Sequence, residues 1–283
     1  MSRIGHDHVR IAGALEGRVD DEDGERSIEF LERGLQHRLK GAAASRRGCD
    51  GSDFASAHPG LFAASGWAHH PYSLTTSPRA RDRNRDDVTL SGVPRLTRTL
   101  DRAQRAYGKS ARMPIWLTEY GYQTDPPDPT IGVSFARQAT WLDDATYLAF
   151  RNKRIASFAQ FLLVDDGPLR QYKASDPRYW GTFQTGLVTL DGKHKPAYAS
   201  FKRPISLMRR GRGLRVFGQL RTAGGRTADV QFKSRGSKKW KSVRRGTAND
   251  HGFVVVAVSR ARRGAYRIAW SGDGASRAVS VRR

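Results

Sequence analysis

The spacing of apolar residues changes character near Pro204, and no single sheet or bundle accommodates both halves of the chain. Before that point, apolar runs alternate with stretches of helical period. After it come LRVFGQL, TADVQFKS, KKWKSVRR, GFVVVAV, AYRIAW and RAVSVRR, short alternating runs separated by glycine-containing turns. A period of two over four to eight residues marks strands with one face buried. Six or seven of them at this spacing predict a small all-β sandwich. The expected division is therefore residues 1–205 and 206–283, with the boundary inside PISLMRRGRG. At 283 residues, the chain is long enough for two domains.

In the first part, the β-type runs are Val9–Gly13, Leu61–His69, Met113–Thr118 and Ile155–Val164. Between them, Ile28, Phe30, Leu31, Leu35 and Leu39 recur at helical spacing, as do Leu90, Val93, Leu96 and Leu100. Ser134 can cap a helix reaching about Phe150, and Pro196–Phe201 reads as a last short helix. Ile155–Val164 is continuously apolar, as for a strand buried on both faces. Four β-α repeats predict an α/β fold with a parallel sheet and right-handed crossovers.

Charge separates the same two parts. Residues 206–283 hold 20 lysines and arginines against 3 acids, a net of +17 out of +23 for the whole chain. Such a field attracts polyanions, so residues 206–283 are a candidate contact for an anionic polymer. A solvated arginine-rich surface is the competing explanation. Trp240, Phe253, Tyr266 and Trp270 lie in alternating runs and are expected in the core rather than on a sugar-stacking platform. Cys49 is the single cysteine, which excludes an internal disulfide and a cysteine-rich zinc site. His69 and His70 are adjacent, with no ligand set of metal spacing, so neither metal nor cofactor is expected. No run of about 18 apolar residues is present, and the N-terminal residues lack the apolar stretch of a signal peptide.

Polar and aromatic residues gather where apolar strands end: His69–Tyr72, Glu119–Gln123 and Asp165–Asp166. Barrel enzymes keep their sites at that end of the strands. Glu119 stands out, because a carboxylate ending an apolar strand pays desolvation unless it is paired. It is either a functional carboxylate or a strand-end partner for an arginine. His70 and Tyr72 can donate to it, and Trp116, Tyr120 and Tyr122 offer sugar-stacking faces.

WAHHPY, WLTEYGYQT and FAQFLLVDD together resemble strands six, seven and eight of clan-A retaining glycoside hydrolases, the cellulase and β-xylosidase group on a (β/α)8 barrel. GLVTLDGKHKPAYASFKRPI is similar to the eighth-helix region of actinobacterial members. The resemblance covers roughly residues 9–205. It implies a carbohydrate substrate and an extracellular enzyme. It implies Glu119 as nucleophile, Tyr72 and His70 as the groups that bond its carboxylate, and Gln160, Asp165 and Asp166 near the sugar. In that family the acid/base is a glutamate following an asparagine on strand four, and no Asn-Glu pair occurs in this sequence. A complete barrel takes about 250 residues. The resemblance thus implies strands five to eight only, a truncated barrel of little activity as an isolated chain. The alternative is a non-catalytic remnant whose basic β-domain binds anionic polymers.

Overall fold

The computed structural model describes residues 11–12, 60, 63–84, 86–110, 112–222 and 226–281. The expected helix over Ile28–Leu39 lies outside them. The described chain is mixed α/β, with three α-helices, one parallel sheet and two antiparallel sheets. It divides into two compact units, Met1–Tyr120 with Ala149–Gln160 and Gly121–Leu148 with Phe161–Arg283.

The first unit contains the parallel sheet. Its strands are β1 (Ile11–Ala12), β2 (Gly66–His69), β3 (Ile115–Leu117) and β4 (Ile155–Phe158), and they lie in that order. Between β2 and β3 runs α1, Val93–Ala106. Pro94 sits in its first turn, where the missing N–H costs nothing. Val93, Leu96 and Leu100 are fully buried and supply the inner stripe. The helix starts later than its apolar period suggests. Thr89 N–H donates to Asp82 Oδ1 at 3.2 Å, and Gly92 N–H closes a turn on Thr89 O at 2.8 Å, so residues 89–92 form a turn instead. Arg154 fastens this layer, donating to both Asp101 oxygens at 2.9 Å and to Met113 O at 2.7 and 3.0 Å.

β4 departs from the expectation of a long strand buried on both faces. It ends at Phe158, none of its residues is fully buried, and Leu163 and Val164 beyond it are exposed. The reason is position: β4 is the last strand in the sheet order and pairs on one side only, with β3, among the described residues.

In the second unit, α2 (Phe135–Arg151, of which residues up to 148 belong here) begins where Ser134 Oγ accepts from Arg137 N–H at 3.3 Å. The short α3, Pro196–Lys202, leads into the antiparallel sheets. One sheet orders β5 (Ile205–Arg210), β6 (Gly213–Gln219) and β9 (Phe253–Val258) side by side. The other is built on β7 (Thr227–Ser234), β8 (Lys241–Thr247) and β10 (Gly264–Trp270), with β11 (Gly274–Ala275) and β12 (Val279–Ser280) both pairing β10. Inward residues of both sheets share one core, including Val216, Val230, Val256, Tyr266, Ile268 and Trp270. Trp240 is not in that core: its ring lies 4.8 Å from Lys233 Nζ and 4.4 Å from the Arg267 guanidinium. Phe253 is half-buried, with its ring 6.1 Å from that of Phe217.

β5 was hidden in the sequence. PISLMRRGRG reads as the boundary between the two parts, and Ile205–Arg210 within it pairs with β6 through a two-residue loop at Gly211-Arg212. Gly211 has φ 55°, as the first central residue of a tight hairpin turn requires. The carboxylates of α2 hold this hairpin in place. Asp143 accepts from Ile205 N–H at 3.2 Å and pairs with Arg277 at 2.5 Å, and Asp144 accepts from Ser206 Oγ at 3.0 Å. Burial pushes the Asp143 carboxyl up to about 7 against the pull of Arg277.

Candidate active site

Adjacent parallel strands deliver their following residues to one edge of a sheet, and the register of β2 and β3 aligns His69 with Leu117. The chain just past β2 therefore meets the chain just past β3. His70 Nε2 lies 2.9 Å from Thr118 Oγ1. Tyr72 Oη donates to Glu119 Oε2 at 3.0 Å, and His70 Nδ1 stands 3.5 Å from the same oxygen. The structure thus brings together the three residues that the strand-end pattern singled out. Glu119 keeps 31% of its side-chain surface and His70 47%, so the carboxylate is reachable from solvent.

The Tyr72 hydrogen bond and the His70 contact both fall on Oε2. Among the described residues no donor reaches Oε1, and no lysine or arginine pairs with Glu119. The strand-end ion pair with an arginine is therefore not what these residues form. Glu119 is also the one glutamate among the described residues; the other five lie at or before Glu32.

Behind the carboxylate is a row of rings. Tyr72 stacks on Tyr120 at 6.5 Å and 13°, and Tyr120 meets Phe158 of β4 at 5.2 Å. Tyr120 is fully buried, so it supports Tyr72 rather than facing a ligand. His69 is turned the other way, buried, with Nε2 2.7 Å from Val88 O. Burial lowers its pKa to about 4, so it is neutral near pH 7 and donates to that carbonyl.

The remaining residues singled out by sequence are placed elsewhere. The Trp116 indole lies over Gly66, at the start of β2, whereas Glu119 follows the end of β3. Gln160 follows β4 by two residues in the first unit and is half-buried. Tyr122, Asp165 and Asp166 belong to the second unit. Tyr122 is buried, with its ring 4.9 Å from that of Trp141. Asp165 is buried and bonded to Lys195 Nζ at 2.6 Å and to Gly186 N–H at 2.8 Å. Burial holds its carboxyl above the usual range and holds the Lys195 amine below its own. Asp166 is exposed.

Lys195 escaped sequence reasoning. It sits in a polar, lysine-rich stretch, GKHKP, where nothing marks one lysine as buried. Its Nζ also donates to Thr124 Oγ1 at 2.8 Å and Gln184 O at 3.0 Å, which satisfies all three of its protons. The signal that could have found it is Pro196, which fixes Lys195 at the cap of α3. Among the described residues, no group of three His, Cys, Asp or Glu side chains could hold a metal ion. No described helix is long and apolar enough to cross a membrane.

No family model matches the chain, and no curated protein does. Among solved structures, it is similar to an FMN-binding beta-glucuronidase from Facaelibacterium prausnitzii L2-6, at 12% identity and a TM-score of 0.33 over 96% of this chain and 45% of that one. It is similar to Bacteroides uniformis beta-glucuronidase 2 at 13% identity and a TM-score of 0.34, over 94% of this chain and 32% of the other. A superoxide reductase matches 28% of this chain and 86% of its own length, at 12% identity and a TM-score of 0.23. The chain thus spans less than half the length of either glucuronidase. At such scores these likenesses assign neither family nor activity.

Proposed function

We propose that the first unit carries the nucleophile side of a retaining glycoside hydrolase site, with Glu119 as the attacking carboxylate. The observation that supports this is the bond from Tyr72 to Glu119 Oε2 at the shared edge of β2 and β3, with no donor to Oε1 among the described residues. One oxygen is held and oriented, and the other is left to attack. In a double displacement, the free oxygen bonds to the anomeric carbon as the glycosidic bond breaks, and water then releases the sugar. Tyr72 and His70 are positioning residues. In this reading β1–β4 correspond to strands five to eight of a (β/α)8 barrel, and the antiparallel sheets form an accessory sandwich beginning near residue 205. The substrate is a poly- or oligosaccharide, and the setting is extracellular. Of the carboxylates in the described part of the first unit, Asp82 and Asp101 are committed to Arg95 and Arg154.

The test avoids the need for an acid. Dinitrophenyl 2-deoxy-2-fluoroglycosides carry a leaving group that departs unprotonated, and they trap the glycosyl-enzyme. A panel of gluco, xylo, galacto, manno and glucurono sugars should give one covalent adduct, mapping to the peptide of Glu119 and absent from Glu119→Gln. A folded protein that takes no label from any of them, or takes it on another residue, would reject the nucleophile role.

A further inference from the structure

The second unit has a cavity of about 380 Å³ at one end of its β-sheets. Two loops build it. In the first, between β7 and β8, Ser237 N–H closes a turn on Ser234 O at 3.1 Å, and Lys239 N–H donates to Ser237 Oγ at 3.1 Å. The second, between β9 and β10, is pinned by Tyr266, whose hydroxyl accepts from Arg262 N–H at 2.8 Å. Tyr266 is itself buried in the core, so this loop has little freedom. Four cations line the cavity: Lys239 and Lys241 from the first side, Arg262 and Arg263 from the second. No carboxylate lines it, and among the described residues none of the four is ion-paired. Ser234 and Ser237 add hydroxyl groups.

Four unneutralised charges lining one depression repel one another, and an anion between them removes that repulsion. Neighbouring guanidinium groups match the oxygens of a tetrahedral oxyanion in pairs, which a lone ammonium does not. The one aromatic residue in the lining, Phe232, is buried, with the Arg262 guanidinium 5.9 Å from its ring. No open ring is therefore offered for stacking a nucleobase or the face of a neutral sugar.

We propose that this cavity binds the sulfate or phosphate ester groups of an anionic glycan, and so anchors the chain on a charged polysaccharide. The oxyanion assignment stands on the cavity itself; the choice of a glycan rests on the glycosidase reading of Glu119. Binding would concentrate the first unit on its substrate polymer by tethering, with no contribution to bond cleavage.

The full chain is titrated calorimetrically with four polymers on one backbone: dextran sulfate, dextran phosphate, carboxymethyl dextran and neutral dextran. A single-stranded DNA of equal charge is the fifth. The sulfate and phosphate polymers should bind best and neutral dextran not at all. The triple variant K239Q/R262Q/R263Q should weaken that binding by about 10- to 100-fold, taking each exposed charge contact at its usual strength. R210Q/R212Q/R215Q removes the same charge from exposed positions outside the cavity, and should cost about threefold or less. Unchanged melting temperatures confirm that both variants are folded. Equal losses in the two triples would mean diffuse attraction and no site. Carboxymethyl dextran binding as tightly as the sulfate would overturn the oxyanion assignment, and tighter, triple-sensitive DNA binding would overturn the glycan. Glu119 labelling is measured separately and does not enter these curves, so either result can fail alone.

Discussion

The Tyr72 phenol donates to one oxygen of Glu119, Oε2, and no described residue donates to the other. Tyr72→Phe removes the donor but keeps the ring on Tyr120. Hydrogen bonds to charged groups contribute about 1.5–3 kcal/mol when shielded, and this one is partly exposed, so about 1 kcal/mol is expected here. The second-order rate of labelling by the fluoroglycoside should fall about fivefold. The urea midpoint should barely move, because the site is at the rim and not in the core. Equal labelling rates in the two proteins would show that Tyr72 does not position the carboxylate. His70, Tyr72 and Glu119 were legible in the sequence because each follows an apolar run, and that is a statement about strand ends. The roles first given to Trp116, Tyr120 and Tyr122 relied on residue type alone. Aromatic rings serve packing as readily as sugar stacking, and neither Tyr120 nor Tyr122 has surface to offer.

Elements were legible where one face is buried and one is not. α1 and β7 both show the expected alternation in their burial. β4 and β5 were misjudged for opposite reasons. The first is apolar yet lies at the sheet's end, and the second carries arginines yet pairs along its whole length. Neither neighbour relation is written in the local pattern. β2 offers a test of packing at this scale. A Cβ on Gly66 would stand 2.8 Å from Trp116 Nε1 and 3.2 Å from Pro114 O. Gly66→Val is expected to destabilise the protein by about 1–3 kcal/mol in urea unfolding, the usual range for overpacking. Combining it with Trp116→Ala should recover part of that loss, because the two side chains compete for one space. Strictly additive losses would mean that the indole is not what excludes a side chain at Gly66.

Across the molecule, two buried titrating groups pull stability in opposite directions. His69 has a folded pKa of about 4 against 6.5 unfolded, so the unfolded chain binds its proton first as pH falls. Its contribution is complete above about pH 6.5 and declines toward pH 4, by about 3 kcal/mol at the limit. Asp143 is raised to about 7 from 3.8, so its contribution is complete below the unfolded value and declines as pH rises through 7. His69 lies in the first unit and Asp143 in the second. Hydrogen exchange between pH 4.5 and 7 should therefore show β2 amides gaining protection with pH and β5 amides losing it, after correction for intrinsic rates. His69→Gln, which keeps a donor for Val88, should flatten the first trend and leave the second unchanged. Parallel trends in both units would contradict this assignment.

The path of the chain between the units bears on how the protein is made. A ribosome releases residues in order, and the chain leaves the first unit at Tyr120 and re-enters it at Ala149. β4, which pairs with β3 beside Glu119, thus emerges only after residues 121–148 of the second unit have been synthesised. Folding one unit to completion before starting the next, the usual economy of vectorial synthesis, is closed to this chain. While translation runs from Leu117 to Ile155, β3 has an empty flank, and this nascent stage is where a holding chaperone would have most to cover.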